Sequence, residues 1–424
     1  MRVIPATEHG IQPDLLNNAA VAVVRRLREA DYEAYIVGGA VRDLLLGIRP
    51  KDFDVATNAT PEQVHGLFRG ARIIGRRFQI VHVRYGREII EVTTYRGHHE
   101  SPSSTSKESR QSDKGLLLRD NVYGTLEEDA IRRDLTVNSM YYDPDSQELL
   151  DQLDGLQDIY AKLIRIIGEP EQRYREDPVR MLRVLRFSAR LQFAIEKSTS
   201  AAIAPCKSLL GEVPAARLFD EFLKLFMSGN ALATFHLLLE HHLLDFLLPE
   251  AAQRCREQTR YTELVALAMD STDRRVRADR PVTPAFLLAA MLWPALQNRS
   301  GQLIDRGDPP QAAINAAGQQ VTAEACQHMV IPKRFSIPMR EMWEMQPKLE
   351  RQQPKRIKDL LANRRFRAAY DLLLLREQAG EDLNNSGDFW TEQQRLHPEL
   401  VGSAPAKIEA GQRRRPARRR RRRD

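Results

Sequence analysis

Two aspartates separated by one residue give this sequence its clearest chemical signal. Asp52 and Asp54 flank Phe53 in the run DFDVA, whose apolar residues are typical of a β-strand. Alternate residues of a strand point to the same face, so the two carboxylates would lie side by side while Phe53 enters the core. Adjacent negative charges repel each other unless a cation lies between them, and Mg²⁺ prefers oxygen ligands. An isolated Asp-x-Asp more often consists of a turn cap and a surface residue. The choice between this interpretation and a metal site therefore depends on the surrounding sequence.

A glycine pair lies a short distance upstream of these aspartates. Gly38 and Gly39 separate the short apolar run 35–37 from a helical run at 40–46. Glycines at such a junction let backbone N–H groups approach a phosphate, and the helix N-terminus favours negative charge there. Arg42 adds a cation within the first turn. A glycine pair alone is weak evidence, but together with Asp52 and Asp54 it predicts a site that handles a nucleotide and Mg²⁺.

A two-metal phosphoryl-transfer site commonly needs a third carboxylate, and the sequence offers two candidates. Glu91 lies in the strand-like run EIIEV, which we expect to lie beside the strand that carries Asp54. Asp134 follows the arginine pair in the run RRDLT. Each also has the simpler interpretation of a salt-bridge partner, so the residues alone leave the choice open.

A third cluster combines an aspartate, a proline and a stripe of arginines. We expect Pro178 in the first turn of a helix and Asp177 as its N-cap. Asp177 and Arg180 would share a face near the helix start, where an acceptor beside a donor can recognise the edge of a base. A solvated helix face is the simpler alternative, but four arginines without an interleaved acid favour a phosphate or nucleotide surface. The stripe consists of Arg180, Arg183, Arg186 and Arg190.

The elements that must position these residues form an α+β head. An amphipathic helix is predicted at 15–30, and strands at 35–37 and 53–56. Thr60, Pro61 and Gln63 form a capping box that opens the next helix, and the runs 80–84 and 88–94 form a hairpin. The polar stretch 101–114 is expected to be a mobile loop.

Beyond Gln157 the strand signals fade and helical periodicity takes over. We therefore predict an α+β head with a small mixed β-sheet, followed by an all-α body and a disordered arginine-rich tail. A second loop is expected at about 298–310. The expected boundaries are the head at 1–155, a helical neck at 156–230, a helical body at 231–400 and the tail at 401–424.

The charge distribution points to a polyanionic partner. The 424 residues include 64 lysines and arginines against 57 aspartates and glutamates, a net charge of +7. Residues 413–424 contain nine arginines and one aspartate, so the rest of the chain is close to neutral. A second basic region, 333–376, is interleaved with aromatic residues. We expect its rings to be core and its charges, such as Lys355 and Arg364, to contact RNA phosphates.

Other classes of protein and site are disfavoured. No apolar stretch is long enough to span a bilayer, and the N-terminus lacks a signal-peptide core. Three distant cysteines exclude a disulfide scaffold and a cysteine zinc site, and they are typical of a reducing compartment, so a cytoplasmic location is expected. The run His98-His99-Glu100 is interpreted as part of a loop rather than a metal site.

Four motifs in this order resemble the polymerase-β-type nucleotidyltransferases. The runs GGAVRD (38–43) and DFD (52–54) are similar to the superfamily signature. The runs RRDLTVN (132–138) and EDPVR (176–180) are similar to later motifs of the class II branch, which holds tRNA CCA-adding enzymes and bacterial poly(A) polymerases. The poly(A) polymerases are the better match, on the run GRRFQIVHV (75–83), the run FRAAYDLL (366–373) and the arginine tail.

The resemblance implies roles for individual residues. Asp52 and Asp54 would be the Mg²⁺ ligands of a two-metal mechanism, and Asp134 would be the third acidic position, with Glu91 as its geometric competitor. Asp177 and Arg180 would recognise the base without a template strand. The implied nucleotide-binding residues are Gly38, Gly39, Arg42, Arg133, Asp177, Arg180 and Arg183.

The implied activity is template-independent polyadenylation. AMP would be transferred from ATP to RNA 3′ ends with release of pyrophosphate, which would promote RNA turnover. The alternatives are tRNA CCA addition and, from another class, a non-catalytic RNA-binding protein. RNA 3′ ends and ATP are the expected partners, and no protein partner is predicted.

Overall fold

The computed structural model describes residues 1–75, 79–97, 109–111, 117–120 and 123–400, with only the backbone at 109–111 and 117–120. Its contacts divide the chain into two compact units, 1–247 and 248–424. The strands in the described residues are β1 (Arg2–Ile4), β2 (Ala34–Val37), β3 (Asp54–Thr57), β4 (Ala71–Ile74), β5 (Ile80–Tyr85), β6 (Glu88–Thr94), β7 (Ser109–Gln111), β8 (Leu117–Asp120), β9 (Tyr141–Tyr142), β10 (Leu149–Asp151), β11 (Leu163–Ile164) and β12 (Ala194–Ile195).

Eight of these strands form one mixed sheet in the first unit. Their order is β1-β10-β9-β2-β3-β6-β5-β4, and β3 and β6 are the parallel pair. The hairpin of β5 and β6 is antiparallel, as the sequence predicts. The strands β7 and β8 pair separately, so residues 109–111 of the predicted loop are a short strand. The rest of that loop, residues 76–78 and 98–100, and the arginine tail lie outside the described residues.

The first unit also contains helices, and these predominate in the part of the chain that follows the sheet. The helices of the first unit are α1 (Ala6–His9), α2 (Asn18–Arg28), α3 (Gly39–Leu45), α4 (Pro61–Leu67), α5 (Leu126–Arg132), α6 (Gly155–Tyr160), α7 (Pro170–Glu176), α8 (Val179–Leu191), α9 (Lys197–Ala201), α10 (Ile203–Cys206), α11 (Ala215–Phe226), α12 (Ala231–Glu240) and α13 (Leu244–Leu247). The predicted head with a mixed sheet, followed by helices, is confirmed.

Local sequence signals explain where several of these helices begin. The Asn17 side chain accepts hydrogen bonds from the first turn of α2. Thr60 and Gln63 form the predicted capping box of α4, and Thr125 and Glu128 form a second one at α5. Because these caps satisfy backbone N–H groups that have no partner within the helix, they fix each helix start beside the sheet.

The second unit is helical throughout its described residues. Its helices are α14 (Pro249–Glu257), α15 (Thr259–Arg277), α16 (Pro284–Met291), α17 (Trp293–Asp305), α18 (Pro310–His328), α19 (Lys333–Glu350), α20 (Ile357–Leu361), α21 (Phe366–Gln378) and α22 (Ser386–Leu396). Trp343, Phe366 and Tyr370 are buried, as predicted for the rings of this region, whereas Phe335 is half-buried with the Arg334 guanidinium over its ring. Among the described helices, none has the length and apolar character needed to cross a membrane.

Two local predictions are wrong. The loop expected at 298–310 is mostly helix α17, which buries Leu296 and Ser300 and packs along α18. Tertiary packing therefore outweighs the polar composition of that segment. Asp177 is not the N-cap of α8, because Pro178 precedes the first helical residue and Asp177 ends α7.

Candidate active site

The sheet brings two carboxylates together at the start of β3. Asp54 is the first residue of that strand and pairs in register with Glu91 of β6, while its other neighbour is Val37 of β2. Directly paired residues share a face of the sheet, so the carboxylates of Asp54 and Glu91 lie side by side. Asp52 precedes the strand by two residues and is exposed, and Phe53 between them is buried.

The environment of Asp54 disfavours its negative charge. Burial, as the largest cause, and the neighbouring charges of Glu91 and Asp52 together raise the pKa of the Asp54 carboxyl to about 6, while Arg133 opposes the rise. A carboxylate held in this way is stabilised when a cation binds beside it.

The glycine pair lies next to Asp54. Gly38 has φ of +75°, a backbone conformation that residues with a Cβ rarely adopt, and it directly precedes α3. A Cβ on Gly38 would lie 3.5 Å from Arg133 Nη1 and 3.9 Å from Asp54 Oδ2. The Gly38 backbone, the Asp54 carboxylate and the Arg133 guanidinium therefore lie within contact distance of the same position.

Arg133 is fixed at this point by two groups that sequence reasoning missed. Its guanidinium donates to Asp129 Oδ2 through Nη2 at 3.0 Å and to the Tyr141 hydroxyl through Nε at 3.2 Å. The Tyr141 hydroxyl in turn donates to Asp129 Oδ2 at 2.7 Å. Burial alone would lower the pKa of Arg133, but Tyr141 and Asp129 outweigh it and raise that pKa. The spacing of Asp129 and Arg133, one helical turn apart, is the sequence signal that could have found this pair.

Arg42 is buried rather than open to solvent. Its Nη2 lies 2.6 Å from Asp43 Oδ1, and its Nη1 donates to Asn138 Oδ1 at 2.5 Å. Arg190 of α8 reaches the other oxygen of Asp43 at 3.0 Å. Arg42 therefore ties α3 to the segment after α5 and to α8.

Asp134 is engaged by an arginine of α8 and by a backbone N–H group. Arg183 Nη2 lies 2.6 Å from Asp134 Oδ2, and the backbone N–H of Leu135 donates to Asp134 Oδ1. Burial by itself would raise the pKa of Asp134, but Arg183 and Arg180 outweigh it and hold that pKa below its usual range. Of the two candidate third carboxylates, Glu91 is brought beside Asp54 by the sheet register and also lies 3.2 Å from His82 Nε2, whereas Asp134 is paired with Arg183.

The predicted base-recognition pair, Asp177 and Arg180, lies at the junction of α7 and α8. Asp177 Oδ2 accepts from Arg217 Nη2 at 2.7 Å, while its buried Oδ1 has no hydrogen-bond partner within the described part of the chain. Arg180 Nη1 donates to Glu176 and to the backbone carbonyl of Arg173. Asp177 thus keeps one acceptor that a ligand could use.

The arginine stripe of α8 meets acids from other segments. Arg180, Arg183 and Arg190 pair with Glu176, Asp134 and Asp43 respectively. Arg186 differs from them: its guanidinium lies over the Phe187 ring, and burial together with the nearby Arg183 lowers its pKa. Within the described residues, Arg186 forms no ion pair with an acid, although it belongs to the predicted stripe.

The carboxylate oxygens around Asp54 are donors of the type that binds a metal ion, although the described residues do not form a complete set of ligands. In the part of the chain that the structure describes, no group of three His, Cys, Asp or Glu side chains is arranged to hold a metal ion. Asp52, Asp54 and Glu91 are oxygen donors at one end of the sheet, and Asp54 is stabilised by an added cation. Carboxylates completed by phosphate oxygens and water are the usual surroundings of Mg²⁺.

Known protein families match most of the chain. The family described as "Poly A polymerase head domain" matches residues 34–165. The family described as "Probable RNA and SrmB- binding site of polymerase A" matches residues 192–255, and "Polymerase A arginine-rich C-terminus" matches residues 306–424. The resemblance inferred from the motifs is confirmed.

Comparison of this chain with whole proteins leads to the same family. Poly(A) polymerase I of Salmonella typhimurium is 44% identical over 94% of this chain and 87% of its own length. A CCA-adding enzyme of Lactobacillus johnsonii is 36% identical over 54% of each chain. Among solved structures, the CCA-adding enzyme of Bacillus stearothermophilus in complex with CTP has a TM-score of 0.63 at 23% identity, covering 90% of this chain and 83% of that one. This structural likeness shows the shared fold.

Proposed function

This chain belongs to the family of bacterial poly(A) polymerase I, and from this premise we propose that it adds AMP from ATP to RNA 3′ ends without a template. Pyrophosphate is the second product, and the added tails promote RNA turnover. The observation that carries the proposal is the meeting of Asp54 and Glu91 beside the Gly38 turn. Catalysis there consists of positioning and charge stabilisation, since phosphoryl transfer needs little covalent help from a protein.

Asp52 and Asp54 are the residues that would hold Mg²⁺, and Glu91 is the third carboxylate. When bound, Mg²⁺ lowers the pKa of the attacking hydroxyl and neutralises charge on the phosphates. The raised pKa of Asp54 supports this assignment, because the carboxylate lies in a site that an added cation stabilises. The contacts of Asp134 support a positioning role for it, through Arg183.

The protein's own groups bind the triphosphate from several sides. The backbone N–H groups at Gly38 and Gly39 face the position that a phosphate would take, at the start of α3. Arg133, held by Asp129 and Tyr141, places a cation at the same point. Through its contacts with Asp43 and Asn138, Arg42 stabilises the turn at Gly38 and so positions the groups that bind the triphosphate.

The junction of α7 and α8 supplies base recognition. The free Oδ1 of Asp177 accepts from the exocyclic amine of adenine, and Arg180 donates to a ring acceptor after exchanging its contact with Glu176. Arg183 orders this face through Asp134. Cytosine also carries an exocyclic amine, so this pair alone does not set the choice of ATP over CTP.

RNA contacts come from the basic surface of the second unit and from the tail. Lys355, Arg356 and Lys358 are exposed on and beside α20, and they have no ion pair among the described residues. Arg364, in contrast, is paired with Glu341, so it contributes less charge than the sequence predicts. These groups supply sequence-independent affinity for phosphates, and we place the enzyme in the cytoplasm, where RNA 3′ ends arise.

The test is incorporation of each nucleoside triphosphate separately into a non-tRNA oligonucleotide. Polyadenylation predicts efficient AMP incorporation from ATP alone and release of pyrophosphate. Efficient CTP incorporation with strict dependence on tRNA would instead establish CCA addition, which the 36% identical relative makes the second candidate. Absence of pyrophosphate release with every triphosphate, despite RNA binding, would point to a non-catalytic binding protein. The Asp54→Ala variant should lose AMP incorporation and keep RNA binding.

A further inference from the structure

Two adjoining clefts lie on the head beside the hairpin of β5 and β6. The larger, of about 670 Å³, lies between α2, the segment from the end of α4 to Gly70, and the end of β5, and the smaller has about 330 Å³. Both are lined by Asn18 and Tyr85, so the two clefts meet at these residues. We call this surface the hairpin groove. Its arginines are Arg25, Arg26, Arg49, Arg69, Arg84 and Arg87.

The groove has an excess of positive charge. Its acids are Glu29 and Glu88, and both are already engaged: Glu29 pairs with Arg26 at 3.0 Å, and Glu88 accepts from the Asn17 amide at 2.7 Å. Arg25 is paired with Asp145 at 2.8 Å.

Three of the arginines are available to a ligand. Arg49, Arg69 and Arg87 are exposed and form no ion pair or hydrogen bond with another described residue. Charge of this sign and density is complementary to a phosphate backbone.

Aromatic and apolar surface lies among these charges. Tyr85, at the junction of the two clefts, is 50% exposed, and Phe68, Leu67, Val21 and Ala22 line the larger cleft. An exposed ring flanked by guanidinium groups is the arrangement on which unpaired bases stack, whatever their sequence. A purely ionic partner would not need this surface.

The groove reaches the end of the sheet that carries the catalytic carboxylates. Glu88 begins β6 three residues before Glu91, a distance of roughly 10 Å along the strand. Arg49 lies three residues before Asp52. By strand alternation, Glu88 is on the face opposite to Glu91, so the groove is separate from the triphosphate site.

We propose that the hairpin groove binds the single-stranded RNA a few nucleotides upstream of the 3′ end that is being extended. The inference rests on the proposed function, because the strand is identified as the RNA substrate of that reaction. Arg49, Arg69 and Arg87 contact phosphates and Tyr85 stacks on a base. The groove holds long substrates between additions, whereas a primer too short to reach it depends on the catalytic site and the second unit.

The experiment uses the full chain with the triple variant Arg49→Glu, Arg69→Glu and Arg87→Glu, and separately Tyr85→Ala. The matched controls reverse three exposed charges elsewhere on the same unit, Arg2→Glu, Lys162→Glu and Lys197→Glu, and remove the exposed Tyr160 by Tyr160→Ala. Binding of fluorescent oligoadenylate of ~6 and ~24 nucleotides is measured by anisotropy across salt concentrations, with AMP incorporation into both. Thermal unfolding verifies that each variant is folded.

The expected result is selective for the long RNA. The triple variant should bind the long oligonucleotide at least ~10-fold more weakly, with a salt dependence whose slope is reduced by about 2, since about 0.7 is lost for each single-strand phosphate contact. Tyr85→Ala should weaken the same binding at least ~5-fold. The kcat on the short primer should be unchanged, and the controls should bind as the wild type does.

Three outcomes would overturn the proposal. Unchanged affinity for the long RNA would exclude contact with the groove. An equal loss for both lengths, or in the controls, would mean a general charge effect. A raised KM for ATP alone would identify a free nucleotide as the occupant. Failure of the proposed function is distinguishable, because the wild type itself would then incorporate no AMP at any primer length.

Discussion

Replacing Asp54 by asparagine should remove activity and, at the same time, make the protein more stable at neutral pH. The substitution keeps the shape of the side chain and removes the charge that the site disfavours. In the absence of metal, burial and the neighbouring Glu91 and Asp52 make the ionised carboxylate costly, and this raises the pKa of Asp54 to about 6. The same cost makes the residue suited to hold a cation, so function and stability oppose each other at this position.

The size of the effect follows from the pKa. A rise from 3.8 to about 6 corresponds to about 3 kcal/mol of unfavourable free energy when the group is ionised. Because the pKa is raised in the folded protein, the folded state binds more protons than the unfolded chain between pH 3.8 and about 6. The wild type therefore loses this stability as the pH rises through that window, and the variant does not. The first unit has 247 residues, for which ~3 kcal/mol is roughly 6–12 °C in Tm.

The assay is thermal unfolding of wild type, Asp54→Asn and Asp52→Asn at several pH values from 5 to 8 with a chelator present. Asp54→Asn should unfold at a higher temperature than the wild type at pH 8, and the difference in Tm between the two should become smaller toward pH 5. Asp52→Asn should match the wild type in Tm, because its carboxylate is exposed, although it should also lose activity. Added Mg²⁺ should raise the Tm of the wild type alone. The reasoning is refuted if Asp54→Asn is less stable than the wild type, or if the gap does not change with pH.

Three further predictions separate roles at and beyond the site. Glu91→Gln should abolish AMP incorporation with little change in stability, since its side chain is 49% exposed. Asp134→Asn should lower the free energy of unfolding by ~1 kcal/mol in urea denaturation, because the Arg183 side chain, which is 39% exposed, loses its charged partner. The reverse pattern would make Asp134 the third catalytic carboxylate. Gly38→Ala should reduce kcat at least ~10-fold in steady-state assays, because a residue with a Cβ is strained at φ of +75° and the turn would have to shift. A wild-type kcat would show that the turn tolerates the Cβ. Deleting residues 413–424 should weaken RNA binding and flatten its salt dependence, and an unchanged slope would exclude the tail from phosphate contact.

Local sequence determined much of the site. The turn at Gly38, a strand around Asp54 and the burial of Phe53 follow from neighbouring residues, because positive φ and strand alternation act over one to three positions. The capping box at Thr60 is equally local. These features, in their order along the chain, were enough to indicate the family and its reaction.

Only the tertiary structure decided which carboxylate joins Asp54 and what the arginines of α8 contact. The parallel pairing of β3 with β6 places Glu91 beside Asp54, while Asp134 is drawn to Arg183. The stripe looked unpaired in sequence, yet acids such as Asp43 reach it from distant segments. Electrostatic interactions depend on separations of a few ångströms, and those separations are set by how remote elements pack, which spacing along a single chain does not contain.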